Sequence, residues 1–404
     1  MISLLRRPKI LLFLLGATLS AIGGGVAQIA LPLYVLRSTH STVLLALVFV
    51  VRQVPITGFS LFLGHYIDDW GPRRSALIGL ILGAVAIASL PFFAHVPVMI
   101  LLSSFAVGLS FIFLYPIQSM YLPRLVSKDE LHVANGLFSG VLVSAGLGGN
   151  ALGGVVASLG WYHIAFWGGG ALDIGAALTV VVIGNLGFTR SQEPHSRLPG
   201  FETIREVWRL LNLDRILLMM FVMDSARQFA LGAQAVNLPK YVLAVSSAPL
   251  LYAVAVMASN LGELIGSFIA PSIFKRVGMS RLRNAYVVSA FVLAGLYILV
   301  ALWVSIFSAV FIIFACSLLL GVTFVEYSAY NQQVVPAGLM GRFQSASAST
   351  TSAFRSAGNL AAGALSAPLG IGFLLSGIVI LLSGFTVIGT RKQEGTVPKI
   401  EVES

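Results

Sequence analysis

Seven ionisable residues lie within long apolar stretches of this sequence, and they are the residues best placed to do chemistry there. A charged side chain that faces hydrocarbon without a partner is costly, so these side chains are expected to face an interior or one another. A buried carboxylate can take up and release a proton, and an arginine can hold an anion. The seven are Arg52, Asp173, Asp224, Arg227, Glu263, Glu326 and Arg355.

Asp224 and Arg227 are three residues apart, and Gln228 and Gln234 share their helical arc. Counted from Ile216 at the rise of an α-helix, Asp224 lies about 12 Å and Arg227 about 17 Å into the span, near mid-membrane. Two interpretations of this arc carry almost equal weight. It forms part of a substrate site, or the aspartate and arginine form a structural ion pair.

The composition shows what kind of protein must position these residues. Of 404 residues, 57% are hydrophobic and only 10% are charged, whereas a soluble domain carries about 25% charged residues. Twenty of the 25 lysines and arginines fall in the termini and alternate loops, and only Arg37 and Lys240 fall in the opposite loops. This asymmetry predicts a protein of the plasma (inner) membrane with both termini in the cytoplasm. We therefore expect membrane lipid, and no nucleic acid, around the chain despite its net charge of +10.

The hydropathy pattern predicts an all-α membrane protein with twelve transmembrane helices. We expect an N-terminal six-helix bundle at 1–186 and a C-terminal six-helix bundle at 216–390. Residues 187–215 form a cytoplasmic linker with a short amphipathic helix, and 391–404 form a cytoplasmic tail.

An internal repeat supports the division into halves. The pattern Leu-Pro-x-Tyr-Val-Leu at 31–36 returns at 238–243, an offset of 207 residues. With no gap, Gly71 then falls on Gly278 and Arg74 on Arg281. A repeat of half the chain in the same orientation is typical of transporters built from two bundles.

A glycine-rich charged loop follows the second predicted span. Its marked positions are Gly64, Asp68, Gly71, Pro72, Arg73 and Arg74. Contacts of the aspartate with a helix N-terminus or an arginine, made in one conformation and broken in another, would make this loop a gating latch. The alternative is that the two arginines only anchor the topology. The loop resembles the one between spans two and three of the major facilitator superfamily, with Asp69 where that family usually has arginine.

The fifth span carries a second resemblance to that superfamily, its antiporter motif. The matching positions are Gly136, Gly149, Asn150, Gly153 and Gly154, with asparagine where the family has proline. Small residues at this spacing let two helices pack backbone to backbone. In that superfamily the motif marks exporters that exchange substrate for protons, and generic close packing is the alternative. The stretch from Leu122 to Asn135, and Ala165-Phe166 followed by Asp173, resemble the branch of macrolide-type and siderophore-type efflux carriers.

The resemblance implies a two-bundle fold whose spans 1, 4, 7 and 10 line a central cavity. That assigns to substrate binding Gln28, Tyr115, Gln118, Asp224, Arg227, Gln228, Glu326, Tyr327, Tyr330 and Asn331. Arg52, Glu263 and Arg355 fall on the seam helices, and we add Arg52 and Arg355 to the binding set as candidate anion ligands. Asp224, Glu263 and Glu326 are the candidate proton carriers. Asp173 falls on an outer helix, where we expect it to have a structural partner.

Together these features predict a secondary transporter that exports a small amphipathic, drug-like or siderophore-like compound by alternating access, coupled to protons. The alternatives are a carrier or importer of an anionic solute held by intramembrane arginines, a lipid flippase, and a non-transporting membrane sensor. The sequence has one cysteine, no histidine spacing typical of a metal site and no P-loop. We therefore expect no enzyme activity, no cofactor other than the coupling proton, and a monomer.

Overall fold

The computed structural model is helical throughout the part of the chain that it describes and has no strand there. The described residues are 4, 6–58, 60–93, 96–114, 117–127, 130–184, 208–246, 248–277, 282–302, 305–335, 337–365 and 370–388. They form two compact units. Unit 1 is Met1–Pro194 with Ser246–Met257, and unit 2 is His195–Val245 with Ala258–Ser404.

Unit 1 contains seven helices among its described residues, together with the start of α9, which is introduced below. They are α1 (Pro8–Thr39), α2 (Thr42–Gly58), α3 (Ser60–Ser89), α4 (Pro97–Leu114), α5 (Ile117–Leu125), α6 (Leu131–Ser158) and α7 (Tyr162–Ile183). Helix α1 packs along both α6 and α7, and α3 packs against α4 and α7. Near one end of the unit Phe13 stacks on Tyr121 at 5.6 Å and on Phe138 at 5.2 Å between ring centroids. These rings form the centre of an apolar core.

Helix α3 is broken at one glycine. Gly71 has a φ of 76° and a ψ of 168°, a conformation that is open almost only to glycine. The break comes directly before Pro72, which can begin a helix because it needs no amide donor there. Gly71 thus separates the end of the charged loop from the membrane-spanning part of α3.

Unit 2 contains six long helices among its described residues. They are α8 (Arg215–Ser246), α9 (Pro249–Val277), α10 (Leu282–Leu302), α11 (Ile306–Val334), α12 (Ala337–Ala364) and α13 (Ile371–Ile388). Asp214 caps α8, because its Oδ1 accepts hydrogen bonds from the backbone N–H groups of Ile216 at 2.9 Å and Leu217 at 3.0 Å. Of the predicted surface helix, residues 208–211 are described and helical, and 201–207 lie outside the described part.

The observed helices correspond to the predicted spans. Nine of those described are long and apolar enough to cross a membrane, and α2 and α13 are shorter apolar helices. Helix α12 is more polar because of its serines and threonines. Two of them form hydrogen bonds to the backbone of the same helix. The Thr350 hydroxyl donates to the Ala346 carbonyl at 2.9 Å, and the Thr351 hydroxyl donates to the Ser347 carbonyl at 2.8 Å. Such bonds let hydroxyl residues lie within a membrane helix. The protein is therefore an all-α membrane protein.

Candidate functional site

A large cavity lies within unit 1. It has a volume of about 860 Å³ and is bordered by α1 to α7, which is within the usual size range of small-molecule sites. Most of its lining is apolar or small, and its few long polar or charged side chains are Gln28, Arg52, Asn135 and Asp173. Such a lining suits a largely apolar molecule with few polar groups.

Asp173 is the acidic residue of this cavity. Its side chain is buried, with 7% of the residue exposed, and its Oδ1 accepts a hydrogen bond from the Ser20 hydroxyl at 2.7 Å. Gly83 of α3 lies opposite, where a β-carbon would stand 3.6 Å from Asp173 Oδ2. The sequence placed Asp173 on an outer helix with a structural partner. Ser20 is such a partner, and the aspartate also borders the cavity.

Two predicted binding residues line the same cavity. Gln28 is exposed on α1. Arg52 of α2 holds its guanidinium carbon 4.7 Å from the centre of the Phe111 ring, a cation–π arrangement that partly compensates a charge in an apolar place. The structure thus brings Gln28 and Arg52 to one cavity, together with an acid that the sequence did not include in its binding set.

Four charged residues of unit 2 form an ion cluster, which we define as Asp224, Arg227, Glu263 and Arg355. Asp224 Oδ1 accepts a hydrogen bond from Arg227 Nε at 2.8 Å and lies 2.8 Å from Nη2, and both side chains are less than a tenth exposed. Glu263 Oε1 lies 3.9 Å from Arg227 Nη1, and its side chain is 45% exposed. Arg355 interacts electrostatically with Arg227 and Glu263. One arginine is therefore shared between a buried and a half-exposed carboxylate.

Neighbouring groups hold the cluster in place. The Arg227 guanidinium lies over the Phe324 ring at 5.0 Å. A small cavity of about 20 Å³ borders Asp224, Arg227 and Tyr286, which is enough room for a single water. The structure contains the Asp224–Arg227 ion pair, which was one of the two interpretations of this arc, and adds a third partner, Glu263.

A second polar network in unit 2 was not predicted from the sequence. The Tyr297 hydroxyl donates to Gln234 Oε1 at 3.0 Å, and Gln234 Nε2 donates to Ser259 Oγ at 3.4 Å. Ser259 and Ser317 hydroxyls are 2.7 Å apart. Serine and tyrosine are common in apolar helices, so no local signal distinguishes these from others. Only the pairing of α8 with α9, α10 and α11 reveals the network.

The remaining predicted residues of α11 are engaged within unit 2. Tyr330 donates to Asp214 Oδ2 at 3.0 Å, so its hydroxyl supports the cap of α8. The Tyr327 hydroxyl lies 3.1 Å from the Ser347 hydroxyl, and Tyr327 also forms a side-chain hydrogen bond with Asn331. Glu326 is 5% exposed and interacts electrostatically with Tyr286.

Three predicted binding residues remain, and two of them lie wholly or partly outside the described residues. Gln228 is half-buried on α8, one residue beyond Arg227. Tyr115 lies outside the described residues, as does the side chain of Gln118 on α5.

A family comparison identifies the fold to which these helices belong. The sequence model of the Major Facilitator Superfamily matches residues 13–362. The chain belongs to the major facilitator superfamily. Transporters of known structure share its fold. The nucleoside transporter NupG superposes on this superfamily member with a TM-score of 0.75 at 13% identity, over 96% of this chain and 100% of that one.

Two further structures show the same fold with other cargoes. A bacterial homologue of the iron transporter ferroportin in an inward-facing state gives a TM-score of 0.77 at 14% identity, covering 95% of this chain and 99% of that one. A POT family transporter in complex with 5-aminolevulinic acid gives 0.70 at 13% identity, covering 94% and 95%. No curated protein matches the sequence. At such low identity these likenesses define the fold of this superfamily member and leave its substrate open.

The two superfamily motifs can now be located. Gly71 adopts the glycine conformation described above, Arg73 is half-buried and Arg74 is exposed. Gly64 and Asp68 lie on α3, and the side chain of Asp68 is outside the described part. The gating role of this loop remains a prediction.

The antiporter-like motif lies on α6 and makes close backbone contacts. A β-carbon on Gly149 would stand 2.9 Å from the Ile22 Cα, and one on Gly153 would stand 2.9 Å from the Val26 carbonyl oxygen, both in α1. Gly154 packs against Ala253 and Leu250, which group with unit 1.

Two other positions of the motif, Gly136 and Asn150, do not make such close backbone contacts through a glycine. Gly136 has open space around its Cα. Asn150 is 1% exposed, and its amide oxygen and nitrogen have no hydrogen-bond partner among the described residues. Gly149, Gly153 and Gly154 therefore have a packing role.

Proposed function

We propose that this superfamily member is a secondary active transporter that exports a small amphipathic compound in exchange for protons by alternating access. The observation that carries the proposal is Arg227, an intramembrane cation shared between Asp224 at 2.8 Å and Glu263 at 3.9 Å. The unit-1 cavity supports the amphipathic substrate, since its lining is largely apolar.

The shared arginine provides a way for a proton to change the cluster. A proton on Asp224 removes the charge that holds the guanidinium most tightly, and Arg227 then shifts toward Glu263. Glu263 is half-exposed, so it can exchange protons with water more readily than the buried partner. Glu326, buried on α11, is the third candidate carrier. The antiporter-like motif of α6 favours export, because it marks exchangers in the superfamily that the sequence resembles.

The test replaces each acid by its amide, as Asp224→Asn, Glu263→Gln and Glu326→Gln. Uptake of a fluorescent amphipathic drug into inverted vesicles is measured with and without an imposed pH gradient. We expect at least one variant to lose the gradient-dependent component. Glu130→Gln is the matched control, since it removes an acid outside the membrane-spanning part. Unchanged gradient-driven uptake in all three variants would remove the coupling proposal.

A second candidate is a carrier or importer of an anionic solute, favoured by the position of Arg52 on the unit-1 cavity. In that case Arg52→Ala, Arg227→Ala and Arg355→Ala should each abolish binding of an anionic probe and leave a neutral one unaffected. A lipid flippase would instead move a labelled phospholipid between leaflets of liposomes. A sensor would bind its ligand without flux.

We place the transporter in the plasma membrane as a monomer with both termini in the cytoplasm. The concentration of lysine and arginine in the termini and alternate loops supports this orientation. A C-terminal green fluorescent protein fusion should be fluorescent, and a C-terminal alkaline phosphatase fusion inactive. The reverse result would overturn the orientation.

A further inference from the structure

Asp173 has a position that the proton-coupling argument does not use. It is a buried carboxylate inside unit 1, on the wall of a cavity large enough for a drug-sized molecule. An ionised carboxylate in an apolar interior needs an opposite charge or a full set of hydrogen bonds. The described structure gives it the Ser20 hydroxyl on Oδ1. The surroundings of Oδ2 therefore decide what the residue does.

The helices around Asp173 present no neighbouring cation among their described residues. From α1 the facing group is Ser20, and from α3 it is Gly83. From α4 it is Ser110, whose hydroxyl donates to the Val107 carbonyl at 2.7 Å. The cavity also borders Arg52, but that guanidinium extends over Phe111. The negative charge of Asp173 is thus directed into the cavity.

Gly83 leaves space in front of the carboxylate. A β-carbon there would stand 3.6 Å from Asp173 Oδ2 and 3.2 Å from Ser110 Oγ. Gly83 therefore places no side chain against Oδ2. The apolar remainder of the cavity is available to the body of a bound ligand.

We propose that Asp173 is the recognition residue for an amphipathic organic cation, whose ammonium group binds Oδ2 while its apolar part fills the unit-1 cavity. This rests on the proposed transport function, because it names the substrate class of that transporter. The site requires no metal and no covalent step. A charge-assisted hydrogen bond between ammonium and carboxylate supplies both the attraction and the orientation.

Three matched fluorescent probes test the proposal. Dansylcadaverine carries an amine, its N-acetyl derivative is neutral, and dansyl-aminocaproic acid carries a carboxylate. Binding is followed in detergent by the fluorescence rise of the dansyl group in an apolar site. Wild type should prefer the amine, and Asp173→Asn should weaken amine binding by at least about tenfold while binding of the neutral probe stays within about twofold. Glu130→Gln, which removes the same charge outside the cavity, should leave the preference intact.

Gly83→Ala provides a test that does not touch the charge or the Ser20 bond. The added methyl group occupies the space before Oδ2, so amine binding should weaken while neutral-probe binding persists. If Asp173→Asn does not fold, this variant and the wild-type preference still decide the matter. Equal binding of amine and neutral probes by wild type, or unchanged amine preference in both variants, would overturn the proposal. So would equal loss of all three probes in a folded variant, which indicates a structural role. Charge-selective binding without gradient-driven flux would overturn the export proposal alone.

Discussion

In unit 1, Gly108 of α4 packs against the backbone of Arg52 in α2, and in unit 2, Gly321 of α11 packs against the backbone of Glu263 in α9. Each contact joins the second and fourth long helix of its half, although with the 207-residue offset Arg52 falls on Ser259, one helical turn before Glu263. The pairing of these helices is preserved, while the residue whose backbone meets the glycine is basic in one unit and acidic in the other. Backbone contacts of glycine are insensitive to the partner's side chain, so charge can diverge without loss of the fold.

A second pair of contacts shows the same division. Gly149 of α6 packs against Ile22 of α1, and Gly358 of α12 packs against Phe229 of α8. Gly25 packs against the Gly146 carbonyl, and Gly232 against the Arg355 carbonyl. Arg355 thus occupies the position of a glycine in the first unit. The repeat retained the helix seam and added a charge to unit 2.

The units therefore differ in what surrounds their charges. Unit 1 keeps one acid on the wall of a wide cavity, and unit 2 packs two acids and two arginines into a cluster with a cavity of only about 20 Å³ beside it. In our proposals the first binds substrate and the second responds to protons. Four predictions test this comparison.

The largest expected effect comes from Arg227→Ala. It leaves Asp224 buried without its cation, and breaking a buried pair costs about 3–5 kcal/mol. Cys316, the lone cysteine, is buried in α11, so a thiol-reactive dye reports unfolding of unit 2 directly. Asp224→Asn combined with Arg227→Gln should recover much of the loss. If Arg227→Ala alone is as stable as wild type, the Asp224–Arg227 pair is not desolvated.

The second largest effect is expected from the glycines at the contact between α1 and α6. Gly149→Ala should destabilise the protein by about 1–3 kcal/mol, because the methyl group meets the α1 backbone. Gly148→Ala is the matched control, since nothing lies within 4 Å of its β-carbon position, and it should be neutral or slightly stabilising. Melting temperatures in detergent compare the two. Gly358→Ala should behave like Gly149→Ala if the seam is equivalent in both units.

A smaller effect is expected from replacing Glu263, the half-exposed acid of the ion cluster. Glu263→Gln removes the longer contact to Arg227 from a half-exposed side chain, so the change in stability should be at most about 1 kcal/mol. The same thiol-dye assay measures it. A loss as large as that of Arg227→Ala would show that Glu263, rather than Asp224, is the main partner of the arginine.

The smallest effect is expected outside the spans. Glu130 pairs with Arg7 at 2.7 Å, and hydrogen bonds from Arg7 and Ser127 lower the Glu130 pKa to about 2 from its usual 4.5. Because the folded pKa is depressed, the pair's contribution is complete above about pH 4.5 and is lost as the pH falls toward 2. The small stability difference between wild type and Glu130→Gln should therefore shrink over that range. A difference that grows on acidification would contradict the assignment.

Much of the fold was predictable because hydrophobicity is a local property of the sequence. Runs of apolar residues predicted the helices, although α12 carries more hydroxyls than a typical span. The Asp224–Arg227 pair was predictable as well, because residues three apart lie on the same face of one helix. The bond from the Tyr330 hydroxyl to Asp214 was not predictable, because no spacing connects this tyrosine to the capping residue.

The sequence by itself determined the membrane setting, the helices and the repeat, since each depends on composition or on hydrogen bonds within a few residues. Only the tertiary structure decided which charges share a partner. Ser20 and Asp173 are 153 residues apart, and Arg227 and Glu263 lie on different helices. Their contacts depend on how each helix is rotated against its neighbours, and glycine contacts spread over the whole unit set that rotation. The unit-1 cavity is likewise a property of several helices together.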